Sequence, residues 1–243
     1  MKLISLNIEN NLHETVLLFI KKEKPDVVCL QEVLEEDFEF LKKELNIEGV
    51  FQSFSYVKSK TYEKLIGKKQ GVAIFAKNIV NSGSIFYYGE QENIFKSFDE
   101  YMSNENFKKN YALVWVNIKN EDGIVYKIIT THLPVTEKGE SNPFQLEVAN
   151  LLLDKLNPLG EFVLCGDMNA PRGNETFNRL AKKYKDNIPL EYKTSIDQNL
   201  HRVKGIQFMV DCLFSTSTYK TSNVKLVDGV SDHMAIIAEI SKN

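Results

Sequence analysis

Cysteine is scarce in this chain of 243 residues, which contains Cys29, Cys165 and Cys212 and no C-x-x-C pair. An odd number of cysteines inside apolar, β-rich stretches argues against a disulfide framework and against a thiolate metal site. We therefore expect reduced thiols in the core of a cytoplasmic protein.

Long apolar runs are also missing. No stretch approaches the roughly 18 apolar residues of a membrane span, and the N-terminal MKLISLNIEN turns polar too early for a signal peptide. There is no linker or low-complexity segment, and 43% hydrophobic with 26% charged residues is ordinary for a globular protein. We expect residues 1–243 to form a single domain, monomeric and without a membrane segment.

Positive charge is limited. The net charge is −3 and the chain has three arginines. The overall charge therefore does not indicate binding to nucleic acid, although a net charge does not reveal a local basic patch. Few arginines are available to clamp a phosphate with paired hydrogen bonds. Arg172, three residues past Asn169, is the candidate for substrate binding, and an ordinary surface arginine is the alternative.

The first fifty residues predict two strand–helix units. A strand over 2–8 precedes a helix over 12–23, for which Asn10 or Asn11 is a candidate cap. A strand over 26–31 then precedes a second amphipathic helix.

The remaining chain predicts mostly strands. They are expected at 50–57, 71–76, 79–88, 111–119, 124–132, 161–165, 206–215, 223–227 and 234–240. Helices are expected from Pro143 and over 174–184. Segments 58–70, 89–110 and 185–205 have no clear element, and long loops in compact domains are usually functional or mobile.

The stretch 161–169, EFVLCGDMN, is central to the functional interpretation. A buried strand leads to Gly166, which permits close approach of backbone or ligand. Asp167 and Asn169 follow on the exit loop, where a carboxylate could activate a water. A simple Asx-turn is the structural alternative.

Polar groups stand at other strand ends as well. They are Asn7, Glu9, Glu32, His132, Asp232 and His233, and Asp211 stands inside the predicted strand 206–215. Each alone has a structural explanation, such as an acid that complements a helix dipole. A carboxylate among the apolar neighbours of Asp211, however, must be paired or ligated. Because ligand sites form at strand ends in α/β sheets, one shared site is the simpler hypothesis.

The residue types of this set indicate a metal and a reaction. Hard oxygen donors with one or two histidines suit Mg²⁺ or Mn²⁺ better than zinc. Such a metal, together with groups that accept and donate protons, suits hydrolysis of a phosphate ester.

The ordered motifs LNIEN, LQEV, GVAIF, THL, GDMN, VD and SDH resemble those of the endonuclease/exonuclease/phosphatase superfamily, over residues 2–240. That superfamily includes deoxyribonucleases, tyrosyl-DNA phosphodiesterases, deadenylases, sphingomyelinases and inositol polyphosphate phosphatases. The resemblance implies an α/β (α+β) fold, a four-layer sandwich in which two mixed β-sheets pack face to face between helices.

The resemblance also implies metal-binding roles. Glu32 would be the principal ligand of Mg²⁺ or Mn²⁺, with Asn7 close by. Glu9 and Asp232 would be further ligands.

Catalytic roles follow from the same resemblance. Asp167 would orient or deprotonate the attacking water, and Asn169 would be its partner at the phosphate. His233 would contact the scissile phosphate, held in orientation by Asp211. His132 would lie near the leaving oxygen.

The substrate class is the open question. VDCLF lacks the tryptophan-cysteine-aspartate-arginine signature of inositol phosphatases, and we expect a phosphodiester hydrolase acting on nucleic acid or a nucleic-acid adduct. Lys60, Lys64 and Lys68 would bind that polyanion, with a solvated loop tip as the alternative. A phosphomonoesterase, a lipid-headgroup phosphodiesterase and a non-catalytic binding module are the alternative functions.

Overall fold

A computed structural model describes residues 1–10, 14–58, 60–105 and 108–243, apart from the side chains at positions 60–62 and 95. Its helices are α1 (Glu14–Glu23), α2 (Glu35–Leu45), α3 (Phe98–Ser103), α4 (Pro143–Leu156) and α5 (Glu175–Ala181). Its strands are β1 (Lys2–Asn7), β2 (Val27–Leu34), β3 (Glu48–Tyr56), β4 (Lys69–Ala76), β5 (Ile79–Tyr88), β6 (Tyr111–Lys119), β7 (Val125–His132), β8 (Val163–Asp167), β9 (Lys185–Asp186), β10 (Asp211–Ser215), β11 (Tyr219–Val227) and β12 (Ala235–Lys242). None of the helices in these ranges has the length and apolar character needed to cross a membrane.

The strands form two six-stranded sheets. The first has the order β11-β12-β1-β2-β4-β3 and the second the order β5-β6-β7-β8-β10-β9. Each sheet contains one parallel pair, β1 with β2 and β7 with β8, and the other pairs are antiparallel. Both sheets are therefore mixed, as predicted.

Side chains that alternate along the strands build three apolar layers. On β2, Val27 and Cys29 lie in the core between the sheets, whereas Val28 and Leu30 pack with α1 and α2. On β8, Leu164 packs in the cluster that includes α4 and α5. Helices thus cover the outer face of each sheet, which confirms the predicted four-layer sandwich.

The three cysteines are free thiols and all are buried. Cys29 and Cys165 lie in the core between the sheets, and Cys212 lies in the layer beneath α4 and α5. Burial raises the pKa of Cys29 and of Cys212 well above the ordinary thiol value. The prediction of core thiols is confirmed.

The predicted strand 206–215 begins only at Asp211, so the sequence prediction was wrong for its first half. The backbone N–H groups of Val210 and Asp211 donate to the Ser195 hydroxyl oxygen, each at 3.1 Å, in place of a neighbouring strand. Asp211 therefore opens β10 rather than standing inside it. This position brings its carboxylate to the end of the sheet.

Segment 89–110, for which the sequence predicts no element, contains a 3₁₀ turn (Gln91–Phe95) and α3. Ser97 caps α3 in a capping box: its hydroxyl accepts the Glu100 N–H (3.3 Å), and the Glu100 carboxylate accepts the Ser97 N–H (3.0 Å). The first helix is described from Glu14, and its predicted start at residue 12 lies outside the described residues.

Gly166 allows β7 and β8 to pair closely beneath the candidate site. Its φ is +142°, and a Cβ built there would lie 2.0 Å from the Thr131 carbonyl oxygen. Thr131 pairs with Gly166 in the parallel register that also sets His132 opposite Asp167. A side chain at position 166 would therefore displace the strand that carries His132.

We predict that Gly166→Ala lowers the free energy of unfolding by about 3 kcal/mol or more, because steric overlap adds to backbone strain. Gly160→Ala is the matched control, since its φ is +72° but no described atom lies within 4 Å of the added Cβ. The control should lose about 1 kcal/mol. For a chain of this size, 1 kcal/mol shifts Tm by about 2–4 °C. Equal Tm values for the two variants would contradict the steric explanation.

Candidate active site

Polar side chains from five strands meet at one cleft. β1 ends at Asn7, β7 at His132 and β8 at Asp167. Glu32 stands at the bulge of β2, where the register with β4 shifts. β10 runs antiparallel to β8, so that its first residue, Asp211, pairs with Asp167. The structure thus brings together side chains that the sequence places on separate strands.

Asn7 links the two sheets at the centre of this cluster. Its Nδ2 donates to Glu32 Oε1 on the same sheet (3.2 Å) and to Asp167 Oδ2 on the other sheet (3.1 Å). Its Oδ1 accepts the backbone N–H of Glu9 (3.0 Å). One amide therefore holds two carboxylates close to each other and orients the turn that follows β1.

Asn10 is a site residue that the sequence interpretation missed. The sequence suggests Asn10 as a candidate helix cap. In the structure its Nδ2 group donates instead to Glu32 Oε2 (2.7 Å). Its Oδ1 is buried and has no hydrogen-bond partner among the described residues. The available signal was the run of polar residues after β1, in which asparagine tolerates a left-handed backbone.

The backbone is strained at the same place. Glu9, Asn10, Glu32 and Asn169 have φ values of 53°, 54°, 55° and 47°. A left-handed conformation costs a residue with a side chain about 1–3 kcal/mol, and it persists where surrounding contacts fix it. All four residues line the cleft. Four of the nine non-glycine residues with positive φ in the described parts of the chain therefore lie at this cleft.

His233 and Asp211 form a buried pair. His233 Nδ1 donates to Asp211 Oδ2 at 2.7 Å, which leaves Nε2 facing Asp167 Oδ2 at 3.8 Å. Burial alone would lower the pKa of His233, but the carboxylates of Asp211 and Asp167 outweigh it and raise the pKa well above its ordinary value. The pair thus presents an oriented imidazole with Nε2 directed at the cluster.

His132 is oriented by Asn169. The Asn169 Nδ2 group donates to His132 Nε2 (2.8 Å) and to the Leu133 carbonyl oxygen (2.9 Å). His132 Nε2 lies 3.6 Å from Asp167 Oδ2. The backbone N–H of Asn169 donates to Asp167 Oδ1 (2.7 Å). Asn169 therefore positions both the histidine and the carboxylate.

Negative charge is concentrated in this cleft. Burial raises the pKa of Asp167, and His233 offsets part of that effect. Burial also raises the pKa of Asp232 to about 7, reduced by His233 but increased by the carboxylates of Glu9 and Glu32. Carboxylates that resist ionisation because of burial and mutual repulsion would gain free energy from a nearby cation.

The oxygen atoms of the cleft fit a hard divalent cation. Glu32 has two carboxylate oxygens that now accept only amide N–H groups, and the buried Asn10 Oδ1 is an oxygen donor without a partner among the described residues. Glu9, Asp167 and Asp232 line the same cleft. These donors match the oxygen ligands that Mg²⁺ and Mn²⁺ prefer.

A second group of potential ligands is better explained without a metal. One ligand atom each from Asp167, Asp211 and His233 lies within 4.8 Å of the others. Asp211 and His233, however, already satisfy each other through a 2.7 Å hydrogen bond. A metal there would have to break the pair that orients the imidazole.

The cleft extends beyond this cluster and has a volume of about 400 Å³. Further groups that line it are Phe54, Tyr56, Lys58, Lys108, Tyr111, Pro134, Val135, His201 and Arg202. Aromatic rings and cationic groups therefore flank the acidic centre on the described surface.

Asp197 holds segment 185–205, for which the sequence predicts no element, against the His233 loop. Its Oδ1 accepts the N–H groups of Asn199 (2.7 Å) and Leu200 (2.8 Å), and its Oδ2 accepts the N–H of Gly229 (2.6 Å). Burial raises the Asp197 pKa, but these hydrogen bonds outweigh it and the net shift is downward. The anchored segment places Arg202 at the cleft.

Arg172, a predicted substrate-binding residue, has its guanidinium engaged elsewhere. Nε donates to Asp186 Oδ2 (2.8 Å), and Nη2 donates to the Ile188 carbonyl oxygen (2.9 Å). The group also contacts the Tyr192 carbonyl oxygen at 3.3 Å. In this structure Arg172 fixes the start of segment 185–205, and it is outside the set of described residues that line the cleft.

The predicted lysines also lie apart from the acidic cluster. Lys68 pairs with Glu36 and lines a different cavity, beside Tyr56 and Phe98. Lys64 is exposed in the 3₁₀ segment Lys60–Leu65. The side chain of Lys60 lies outside the described residues. Lys58 and Lys108 are the lysines, among the described residues, that line the cleft.

We predict that Asp211→Ala removes the acceptor that fixes His233 and lowers the free energy of unfolding by about 1–3 kcal/mol. A downfield, exchange-protected Nδ1–H resonance in the proton NMR spectrum should disappear. Asp228→Ala is the control, because Asp228 is exposed and should keep both Tm and the resonance. A protected resonance that survives in Asp211→Ala would contradict the assigned pairing.

Comparison with known sequences identifies a family for most of the chain. A profile of the endonuclease/exonuclease/phosphatase family matches residues 4–233. A search among curated proteins finds no match.

Solved structures show the same fold. The human Nocturnin catalytic domain with a bound sulfate anion superposes with a TM-score of 0.75 at 19% identity, covering 100% of this chain and 94% of that one. A mannosyl-6-phosphatase of Bacteroides thetaiotaomicron gives 0.70 at 14% identity, with 99% of each chain covered. D. rerio TDP2 complexed with a single-stranded DNA product gives 0.69 at 14% identity, covering 100% and 99%.

Proposed function

Because the chain belongs to the endonuclease/exonuclease/phosphatase family, whose members are phosphoester hydrolases, we propose that it is a Mg²⁺- or Mn²⁺-dependent phosphodiester hydrolase. We further propose nucleic acid, or a nucleic-acid adduct, as its substrate. The observation that carries the proposal is the junction at Asn7, which holds Glu32 and Asp167 together beside the oriented imidazole of His233.

The proposed cation site consists of oxygen donors in the cleft. Glu32, Asn7 and Asn10 would hold the cation, with Glu9 and Asp232 available on the same wall. When bound, the cation would offset negative charge on the phosphoryl oxygens.

Asp167 would accept a proton from the attacking water. It is 1% exposed and its Oδ1 is held by the Asn169 N–H, which fixes the direction of the carboxylate. His233 presents Nε2 on one side of Asp167 and His132 presents Nε2 on the other, at 3.8 and 3.6 Å from Oδ2. The His233 Nε2 can donate a hydrogen bond to a phosphoryl oxygen, whereas the His132 Nε2 already accepts a hydrogen bond from Asn169.

The walls of the cleft favour an extended anionic substrate. Cationic groups flank the acidic centre, with Lys58, Lys108 and Arg202 contributed by three separate segments of the chain. A polyanion requires such counter-charges on both sides of the reacting phosphate. The single-stranded DNA product in the TDP2 structure supports this substrate class. The mannosyl-6-phosphatase neighbour makes a sugar monoester the natural competitor in a test.

A substrate panel tests the proposal. Single-stranded DNA, RNA, 5′-tyrosyl DNA, sphingomyelin, inositol phosphates and mannose 6-phosphate are compared with Mg²⁺, with Mn²⁺ and with EDTA. We expect hydrolysis of an oligonucleotide or its tyrosyl adduct that requires the metal. Turnover of a monoester or a lipid with no cleavage of any oligonucleotide would overturn the substrate assignment.

Asp167→Asn should lower kcat by about 10²–10⁴, the range for loss of a positioned proton acceptor, with little change in KM. The matched control is Asp154→Asn, the same isosteric change at an exposed position. Steady-state kinetics on the best substrate of the panel measure both constants. A large rise in KM at unchanged kcat would assign Asp167 to binding instead.

Glu32→Gln should weaken Mn²⁺ binding by more than the roughly 10–100-fold that loss of an outer hydrogen-bond partner costs. Its two oxygens are the acceptors around which Asn7 and Asn10 are arranged. Titration calorimetry with Mn²⁺ measures the affinity without any need for turnover. Glu147→Gln, at an exposed position of α4, is the control. Equal Mn²⁺ affinity in Glu32→Gln and the native protein would remove Glu32 from the ligand set.

A further inference from the structure

Lys58 and Lys108 converge at one part of the cleft, although 50 positions of sequence separate them. Lys58 follows the end of β3, and Lys108 precedes the start of β6. β3 is two strands away from β2, which carries Glu32, and ordinary strand spacing makes that separation roughly 10 Å. The two ammonium groups thus line the same cleft as the acidic centre but at a distance from it.

A small satellite core fixes this end of the cleft. Tyr56, Ile94 and Tyr101 are buried together, and the Tyr56 and Tyr101 rings contact edge to face with centroids 4.8 Å apart. The Tyr56 hydroxyl donates to the Lys96 carbonyl oxygen (2.8 Å). These contacts attach segment 89–110 to the end of β3. They therefore set the relative positions of Lys58 and Lys108.

Asn110 joins the two ends of segment 89–110 by hydrogen bonds. Its Oδ1 accepts the Glu90 N–H (3.1 Å) and an Nδ2–H of Asn93 (3.2 Å). Gly89 makes this possible, because a Cβ at that position would lie 2.0 Å from Asn110 Oδ1. The segment is thus a loop with closed ends, packed on its own side chains. Such loops in compact domains are frequently functional.

The electrostatics of the two lysines favour an anion between them. Partial burial lowers the pKa of Lys58, the charge of Lys108 lowers it further, and the Glu105 carboxylate opposes both effects. Lys58 Nζ rests 5.3 Å from the centroid of the Tyr101 ring. Lys108 pairs with Glu105 at 2.7 Å, but the Glu105 side chain is 79% exposed, so this pair is weak in water. A bound phosphate would relieve the repulsion between the two ammonium groups.

We propose that Lys58 and Lys108 form a second phosphate subsite, which binds the phosphate adjacent to the scissile phosphodiester in a single-stranded oligonucleotide. The inference rests on the proposed function and makes it more specific. Tyr111, which is half-buried, lines the cleft together with these lysines and would offer an aromatic surface to the intervening nucleoside. The subsite gives the enzyme a preference for substrates that carry a phosphate on both sides of one nucleoside.

Two chromogenic substrates that differ by a single phosphate test the subsite. They are thymidine 3′-(p-nitrophenyl phosphate) and the same compound with a 5′-phosphate. Native protein should show a higher kcat/KM for the 5′-phosphorylated compound. Lys58→Gln and Lys108→Gln should each reduce that ratio roughly tenfold, the loss typical of one hydrogen bond to a charged group. Lys109→Gln is the matched control, because Lys109 stacks over Phe144 with its Nζ 5.3 Å from the ring centroid. It should keep the native ratio.

A binding measurement separates failure of the subsite from failure of the proposed function. Fluorescence anisotropy with a labelled single-stranded oligonucleotide requires no turnover. Removing both lysines should flatten the slope of log K against log salt by about 0.7, the value for one lost phosphate contact on a single strand. Hydrolysis of the unphosphorylated compound without any preference, together with an unchanged salt slope, would overturn the subsite and leave the proposed function standing. If neither compound is hydrolysed, the proposed function fails and the salt slope still decides the subsite.

Stability must be checked because Lys58 packs over Tyr101. Both single variants should unfold within about 4 °C of the native Tm, the shift for about 1 kcal/mol. If Lys58→Gln is unstable, Lys108→Gln alone decides, since its partner Glu105 is largely exposed. A native substrate ratio and a native salt slope in Lys108→Gln would then overturn the subsite.

Discussion

The arrangement of the candidate site depends on one amide that is shared between two sheets. Asn7 ends a strand of the first sheet and donates to a carboxylate from each sheet, Glu32 and Asp167. Beneath it, Gln31 donates from Nε2 to Thr130 Oγ1 across the same interface (2.9 Å). Elsewhere most contacts between the sheets are apolar, although the Lys127 N–H donates to the Tyr219 hydroxyl and the Ser84 hydroxyl to Gln52 Oε1. Apolar side chains can slide past one another more easily than hydrogen-bonded groups can. Polar contacts at this end fix the alignment, so that His132 and His233 arrive on opposite sides of Asp167.

The same junction is unfavourable for the folded protein on its own. Asp167 is buried, and Asp232 is raised in pKa to about 7 by burial and by neighbouring carboxylates. Left-handed backbone at Glu9, Glu32 and Asn169 adds strain. A sandwich needs none of these features to pack its cores. They are understandable if the cleft is shaped for a cation and an anionic substrate, whose binding would offset part of the cost.

Most strands, and the polar residues at their ends, could be located in the sequence because both are local signals. The four-layer sandwich was predicted from the resemblance of the ordered motifs to a known family, and the two packed sheets confirm it. Asp211 was misplaced within its strand because its N–H pairs with Ser195, sixteen positions earlier. Asn10 was missed because only the folded chain brings it to Glu32. Arg172 was assigned from its distance in sequence to Asn169, whereas its guanidinium hydrogen-bonds with segment 185–205. Tertiary contacts of this kind leave no periodic trace in a single sequence.

The two long irregular segments, 89–110 and 185–205, are anchored in the same way. Under the proposed function, this anchoring explains how they would determine substrate specificity. A buried polar side chain gathers backbone N–H groups: Asp197 does so for the segment that carries Arg202, and Asn110 does so for the segment that carries Lys108. Satisfied N–H groups allow a loop to hold one conformation without the hydrogen bonds of a sheet. Each anchored loop then presents a cation to the cleft from a different side. Under the proposed function, the sheets would position the reacting groups and the loops would determine which phosphoester reaches them.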